Sequence, residues 1–97
     1  MQIMLYKFGT TLTSRQLGKE AFAALQMQIA NIGKDEDLRI DFEGVNTFSP
    51  SWGDEFLRPL ADKYKNKIIL LHTDNPSVKA TIELLEDIEH LGLKIES

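Results

Sequence analysis

Strand-like and helix-like stretches alternate along this chain, and that alternation constrains the fold more than any other feature. "QIMLYKF", "LRIDF" and "KIILLH" are short apolar runs of strand length, and amphipathic stretches of helical spacing separate them. Parallel neighbours need a crossover of about a dozen residues or more, and each gap is long enough to hold one. The order strand, helix, strand, helix, strand, helix and a short closing strand predicts an α/β sandwich. It should have a mainly parallel sheet of three to four strands, three helices and right-handed crossovers.

The first run puts Ile3, Leu5 and Lys7 on one side and Met4, Tyr6 and Phe8 on the other, the pattern of a strand covered on both faces and ended by Gly9. In "LTSRQLGKEAFAALQMQIANIG" Leu17, Ala21, Ala24, Leu25, Ile29 and Ile32 recur at helical steps. Thr13 or Ser14 can cap the first turn, Thr13 and Gln16 have capping-box spacing, and Gly33 suits a left-handed C-cap. "LRIDF" alternates Leu38, Ile40 and Phe42 against Arg39 and Asp41, which predicts a strand with Asp41 near its end.

"WGDEFLRPLADKY" carries Trp52, Phe56, Leu57, Leu60, Ala61 and Tyr64 at helical spacing. Pro59 removes one intrahelical hydrogen bond, which predicts a kink or a short 3₁₀ stretch near residues 55–58. "KIILLH" is apolar without alternation, as an interior parallel strand would be. In "TDNPS" Asn75 is an N-cap and Pro76 a first helical residue. The last helix then has Val78, Ile82, Leu85 and Ile88 or Glu89 on its inner line and Gly92 at its end, and "LKIE" forms a closing edge strand.

A chain of 97 residues fits one domain, of which about two thirds of the unfolded surface is buried. Its 42 % hydrophobic and 27 % charged residues are ordinary globular values, which argues against disorder. The net charge of −4, with eleven scattered Lys and Arg, gives no basic stripe for a phosphate backbone, so no nucleic acid is expected. No apolar run approaches the ~20 residues that span a bilayer, and the first residues are too short and mixed for a secretory signal. No membrane association and a cytoplasmic location are therefore expected. The absence of cysteine excludes disulfides, thiol nucleophiles and cysteine zinc sites.

At the carboxyl ends of parallel strands three loops should converge, residues 9–14, 44–54 and 72–76. They would gather Thr10, Thr11, Ser14, Asp41, Ser49, Ser51, Asp54, His72 and Asp74. Ser51 with Asp54 three residues on, or Ser49 before Pro50, are ordinary helix starts. A helix start also suits a phosphate, although Asp54 and Glu55 would repel one placed beside them. A hydrolase built from Ser51, His72 and Asp41 or Asp74 lacks the Gly-x-Ser-x-Gly elbow, since Ser49, Pro50, Trp52 and Gly53 surround Ser51. No Walker loop or dinucleotide fingerprint occurs, His72 and His90 are far apart in sequence, and neither cofactor nor metal is expected. Trp52 is either a lid on the core or an anchor for a partner.

"LTSRQLGKEAF" followed by "LRIDFEGVNTFSPSWGDEFLRPLA" resembles the STAS-like family of small bacterial domains, relatives of the sulfate-transporter and anti-sigma-factor-antagonist domains. The likeness runs from Leu12 to about Leu85. It rests on the Thr-Ser-Arg start of the first helix, on "DFEGV", and on a serine, an aromatic and "DEF" opening the next helix. The resemblance implies a regulatory domain whose partner is a histidine-kinase-like ATPase-domain kinase or an anti-sigma-like protein. In the antagonists the kinase phosphorylates a serine of the matching loop. Counting without gaps from Asp41, Gly44 and Val45, Ser49 falls on the family's aspartate, Pro50 on its phosphorylated serine, Ser51 on the following Ser or Thr and Trp52 on a glycine. Either Ser51 takes over as acceptor by a one-residue shift, or the domain binds without the switch.

The favoured expectation is thus a non-enzymatic module that meets a protein partner through the 44–58 loop and helix. Gly44, Pro50, Trp52, Gly53, Asp54, Glu55 and Arg58 would form the contact, Ser51 and Ser49 are the candidate phosphate acceptors, and Asp41 is structural. The alternatives are the small ligand-binding domain or hydrolase, with its pocket between the three loops, and a homodimer built on the final strand.

Overall fold

The computed structural model describes residues 1–33 and 35–96. Its strands are β1 (Gln2–Met4), β2 (Thr11–Leu12), β3 (Leu38–Asp41), β4 (Thr47–Phe48), β5 (Ile68–Leu70) and β6 (Lys94–Ile95). Its α-helices are α1 (Arg15–Gln28), α2 (Pro50–Tyr64) and α3 (Pro76–Glu89). The main sheet is parallel throughout in the order β1-β3-β5-β6, and β2 pairs with β4, also parallel, in a small second sheet. The α/β sandwich is the architecture expected, and β2 with β4 is an addition to it.

The order of the strands in the main sheet is their order in the chain, and the sheet is covered on one face only. Ile3 lies beside Ile40 and Ile40 beside Leu70, Leu38 lies beside Ile68, and all five are buried. The alternate row, Gln2, Arg39, Ile69 and Lys94, is exposed or half-buried. Across that open face Arg39 pairs with Glu96 at 2.7 Å. The helices form a single layer, with α2 in the middle touching both α1 and α3.

Four local expectations are corrected. The first strand stops at Met4, because the chain turns into a 3₁₀ segment, Leu5–Phe8, that buries Leu5 and brings Phe8 against Phe56 with ring centres 5.7 Å apart. It is an edge strand with one face covered. Helix α1 ends at Gln28 rather than near Gly33: the Ile29 N–H closes the last turn on the Leu25 carbonyl, and Ile29 is buried as the chain turns towards β3. Its inner line is Gly18, Ala21, Leu25 and Ile29, whereas Leu17 and Ala24 face outward. Pro59 sits inside an uninterrupted α2, and the 3₁₀ turn comes afterwards, at Lys65–Lys67. Helix α3 closes at His90, in the left-handed region at φ 51°, and Ile88 and Glu89 are both exposed. Thr81 joins Val78, Ile82 and Leu85 inside. None of the described helices is long and apolar enough to cross a membrane.

Candidate functional site

The three loops do converge, and backbone hydrogen bonds bind them together. The carbonyl of Thr10 accepts from the N–H groups of Asn46 and Thr47, at 2.8 and 3.1 Å, and that of Leu12 accepts from Ser49 at 2.9 Å. Asn75 ties in the third loop. Its amide nitrogen donates to the carbonyls of Val45 and Asn46, at 2.8 and 3.1 Å, while its oxygen caps α3 by accepting from Ser77 and Val78. The hydroxyl of Ser77 accepts from the Phe48 N–H, and that of Thr81 donates to the Phe48 carbonyl at 2.5 Å. Sequence spacing identifies Asn75 as a cap. It carries no sign of the link from Asn75 to residues 45 and 46.

The serines at the start of α2 have different fates. Ser49 is the N-cap: its oxygen accepts from the Trp52 N–H at 3.4 Å, and its hydroxyl donates to the carbonyl of Thr13 at 3.1 Å. Pro50 follows at the first helical position, where its missing N–H costs nothing. Ser51, half-buried one residue on, has no side-chain hydrogen bond among the described residues. Ser14 plays the same part for α1, accepting from the Leu17 N–H at 3.2 Å.

Trp52 and Gly53 are core residues, which removes both from the partner-contact set. Trp52 is 1 % exposed, and its ring stacks on Phe56 at 4.7 Å and meets Phe48 edge-on at 5.7 Å. A Cβ on Gly53 would come within 2.9 Å of the Leu85 side chain. Helix α1 packs on the same turn so closely that a Cβ on Gly18 would sit 2.7 Å from the Trp52 carbonyl oxygen. Gly44 is a turn residue at φ +88°, a conformation L side chains rarely adopt. Asp41 stays at its strand end as a local brace, accepting from the Glu43 N–H at 3.0 Å and from the Gln2 amide at 2.9 Å.

Outside that packed turn lies a chain of alternating charges. Arg15 bridges Asp54 at 3.1 Å and Glu55 at 2.8 Å, Arg58 holds the other Asp54 oxygen at 3.0 Å, and Glu89 of α3 lies 4.0 Å from Arg58. Partial burial raises the Asp54 pKa, but hydrogen bonds from Arg15 and Arg58 outweigh it and hold the carboxyl below its ordinary range. Hydrogen bonding to Glu55 and Asp54 raises Arg15, and the bond to Asp54 raises Arg58. Arg15, 39 residues from Asp54 in sequence, belongs to this surface although no local spacing marks it.

His72 and Asp74 come together at 3.1 Å, both in solvent. Among the described residues no serine hydroxyl is hydrogen-bonded to His72. The cavity that His72 lines is not between the three loops but on the far side of the third, between α3 and β6. No group of acidic, histidine or cysteine side chains among the described residues is arranged to hold a metal ion. Comparisons with protein-family models, with curated proteins and with solved structures return no match.

Proposed function

We propose that the chain is a non-enzymatic regulatory or adaptor module of the STAS-like kind, which binds a protein partner through the first turns of α2 and the neighbouring start of α1. The observation that carries this reading is the charged surface of Arg15, Asp54, Glu55 and Arg58 around Pro50 and Ser51, held on a base that cannot yield. Trp52, Phe56 and Gly53 are buried beneath it, and caps and inter-loop hydrogen bonds fix its backbone. A preorganised polar surface loses little freedom on binding, and alternating charge favours a partner of matching pattern over others.

The partner class is an ATPase-domain kinase or an anti-sigma-like protein. If a kinase phosphorylates the loop, Ser51 is the favoured acceptor, because the Ser49 hydroxyl is held between Thr13 and Trp52 and Pro50 has none. A phosphate on Ser51, at the second position of α2, would face Asp54 and Glu55 one turn on and would compete with them for Arg15. Phosphorylation would thus break the ion-pair chain and change the partner's footprint.

The test mixes the purified chain with an ATPase-domain kinase encoded beside its gene, with and without ATP. Complex formation is followed by calorimetry and modification by mass spectrometry. The expected result is a complex that Arg58→Glu weakens, and any phosphate on Ser51. Neither a complex nor a phosphoserine would sink the reading.

A further inference from the structure

The outer edge of the sheet is built differently. Strand β6 pairs with β5 on one side, and no strand lies on its other side among the described residues. Helix α3 stops short of covering it: Ile95, in register with buried Leu70, is 59 % exposed. An open cavity of about 260 Å³ separates α3 from β6, with Leu71, Ile82 and Ile95 among its walls and His72, Lys79 and Glu83 beside them. It is an open slot of a size near the lower end of small-molecule pockets, ~300 Å³, and Ile95 in its wall faces solvent.

The slot carries one cation and one anion beside its apolar centre. Lys79 and Glu83 lie one helical turn apart on α3 and both line the slot, and neither takes part in an ion pair among the described residues. A patch that meets its own copy about a two-fold axis must be self-complementary, with each member of a pair present once on each side. An apolar centre flanked by one cation and one anion meets that condition, whereas a uniformly charged partner would repel one of the two.

We propose that this edge docks a second copy of the chain, β6 against β6 in antiparallel pairing. Ile95 of each copy closes the other's slot, and Lys79 of each faces Glu83 of the other. The pairing supplies hydrogen-bond partners for the outer side of both short strands. Lys94 and the shortness of β6 discourage open-ended strand addition, and a closed two-fold dimer uses up the β6 edge of both copies.

Sedimentation equilibrium of the full chain at low salt tests this independently of the partner surface on α2. The expected species has twice the chain mass. Lys79→Glu and Glu83→Lys each place like charges across the axis and should weaken self-association by about tenfold or more. The double reversal Lys79→Glu/Glu83→Lys should restore it, and Ile95→Asp should abolish it, with far-UV circular dichroism unchanged in all four variants. A wild-type monomer at every concentration would overturn the proposal, as would a dimer that survives both single reversals or a folded double reversal that stays monomeric.

Discussion

The start of α2 and the outer edge of β6 sit in the same molecule under opposite conditions. At the first, α2 is flanked by helices on both sides, so Trp52, Gly53, Phe56 and Leu57 are buried and Ser49, Asp54, Glu55 and Arg58 are hydrogen-bonded or ion-paired. At the second, the helix layer runs out before the sheet does, leaving Ile95 exposed and Lys79 and Glu83 outside any ion pair among the described residues. A single layer of three helices over four strands over-covers its middle and under-covers one edge. The rigid middle suits a surface that must hold its shape, and the open edge suits one completed by another chain.

The largest test of that contrast is Trp52→Ala, which removes the side chain in contact with Phe48 and Phe56. It should cost about 3–5 kcal/mol in urea denaturation, and a loss below about 1 kcal/mol would mean the turn is not tightly packed. Next is Gly18→Ala. The added carbon meets a backbone oxygen, not a flexible side chain, so α1 and α2 must move apart at an expected cost of about 1–3 kcal/mol.

Asp54→Asn tests the charged layer above. The folded Asp54 carboxyl lies below its ordinary range, so its contribution is present above the unfolded value of about 3.9 and is lost as pH falls through the folded value. The stability difference from the wild type should be about 1 kcal/mol near neutral pH and shrink towards zero in acid; a difference independent of pH would separate Asp54 from its arginines. The smallest effect is expected at the solvated third loop. His72→Ala should change stability by less than about 0.5 kcal/mol, since both members of the His72–Asp74 pair are exposed.

Much of this fold is legible in local patterns. Ser49–Pro50 and Asn75–Pro76 announce helix starts through groups fixed within one turn, and the alternation of Leu38, Ile40 and Phe42 marks the covered face of β3. What periodicity missed depends on neighbours. In α1 it favoured Leu17, yet Gly18 faces inward, because α2 approaches too closely for any side chain there. Pro59 was expected to disturb α2, but the helix is packed along Phe56, Leu57, Leu60 and Ala61, and only the hydrogen bond to the Glu55 carbonyl is forfeited. The site was half legible. Its serines and acids stood in one motif, whereas Arg15 and the inter-loop bonds of Asn75 join segments with no shared pattern.

The matching order of strands in the chain and in the sheet bears on how the molecule is made. Each strand–helix–strand unit adds beside the one before it, so β1, α1 and β3 can associate while later residues are still being synthesised. No strand has to be inserted between two already paired. Loop closure then spans only adjacent units, which keeps its entropy cost low at each step. The newest strand is always the exposed one during such growth, and β6 is the last of the described strands to join.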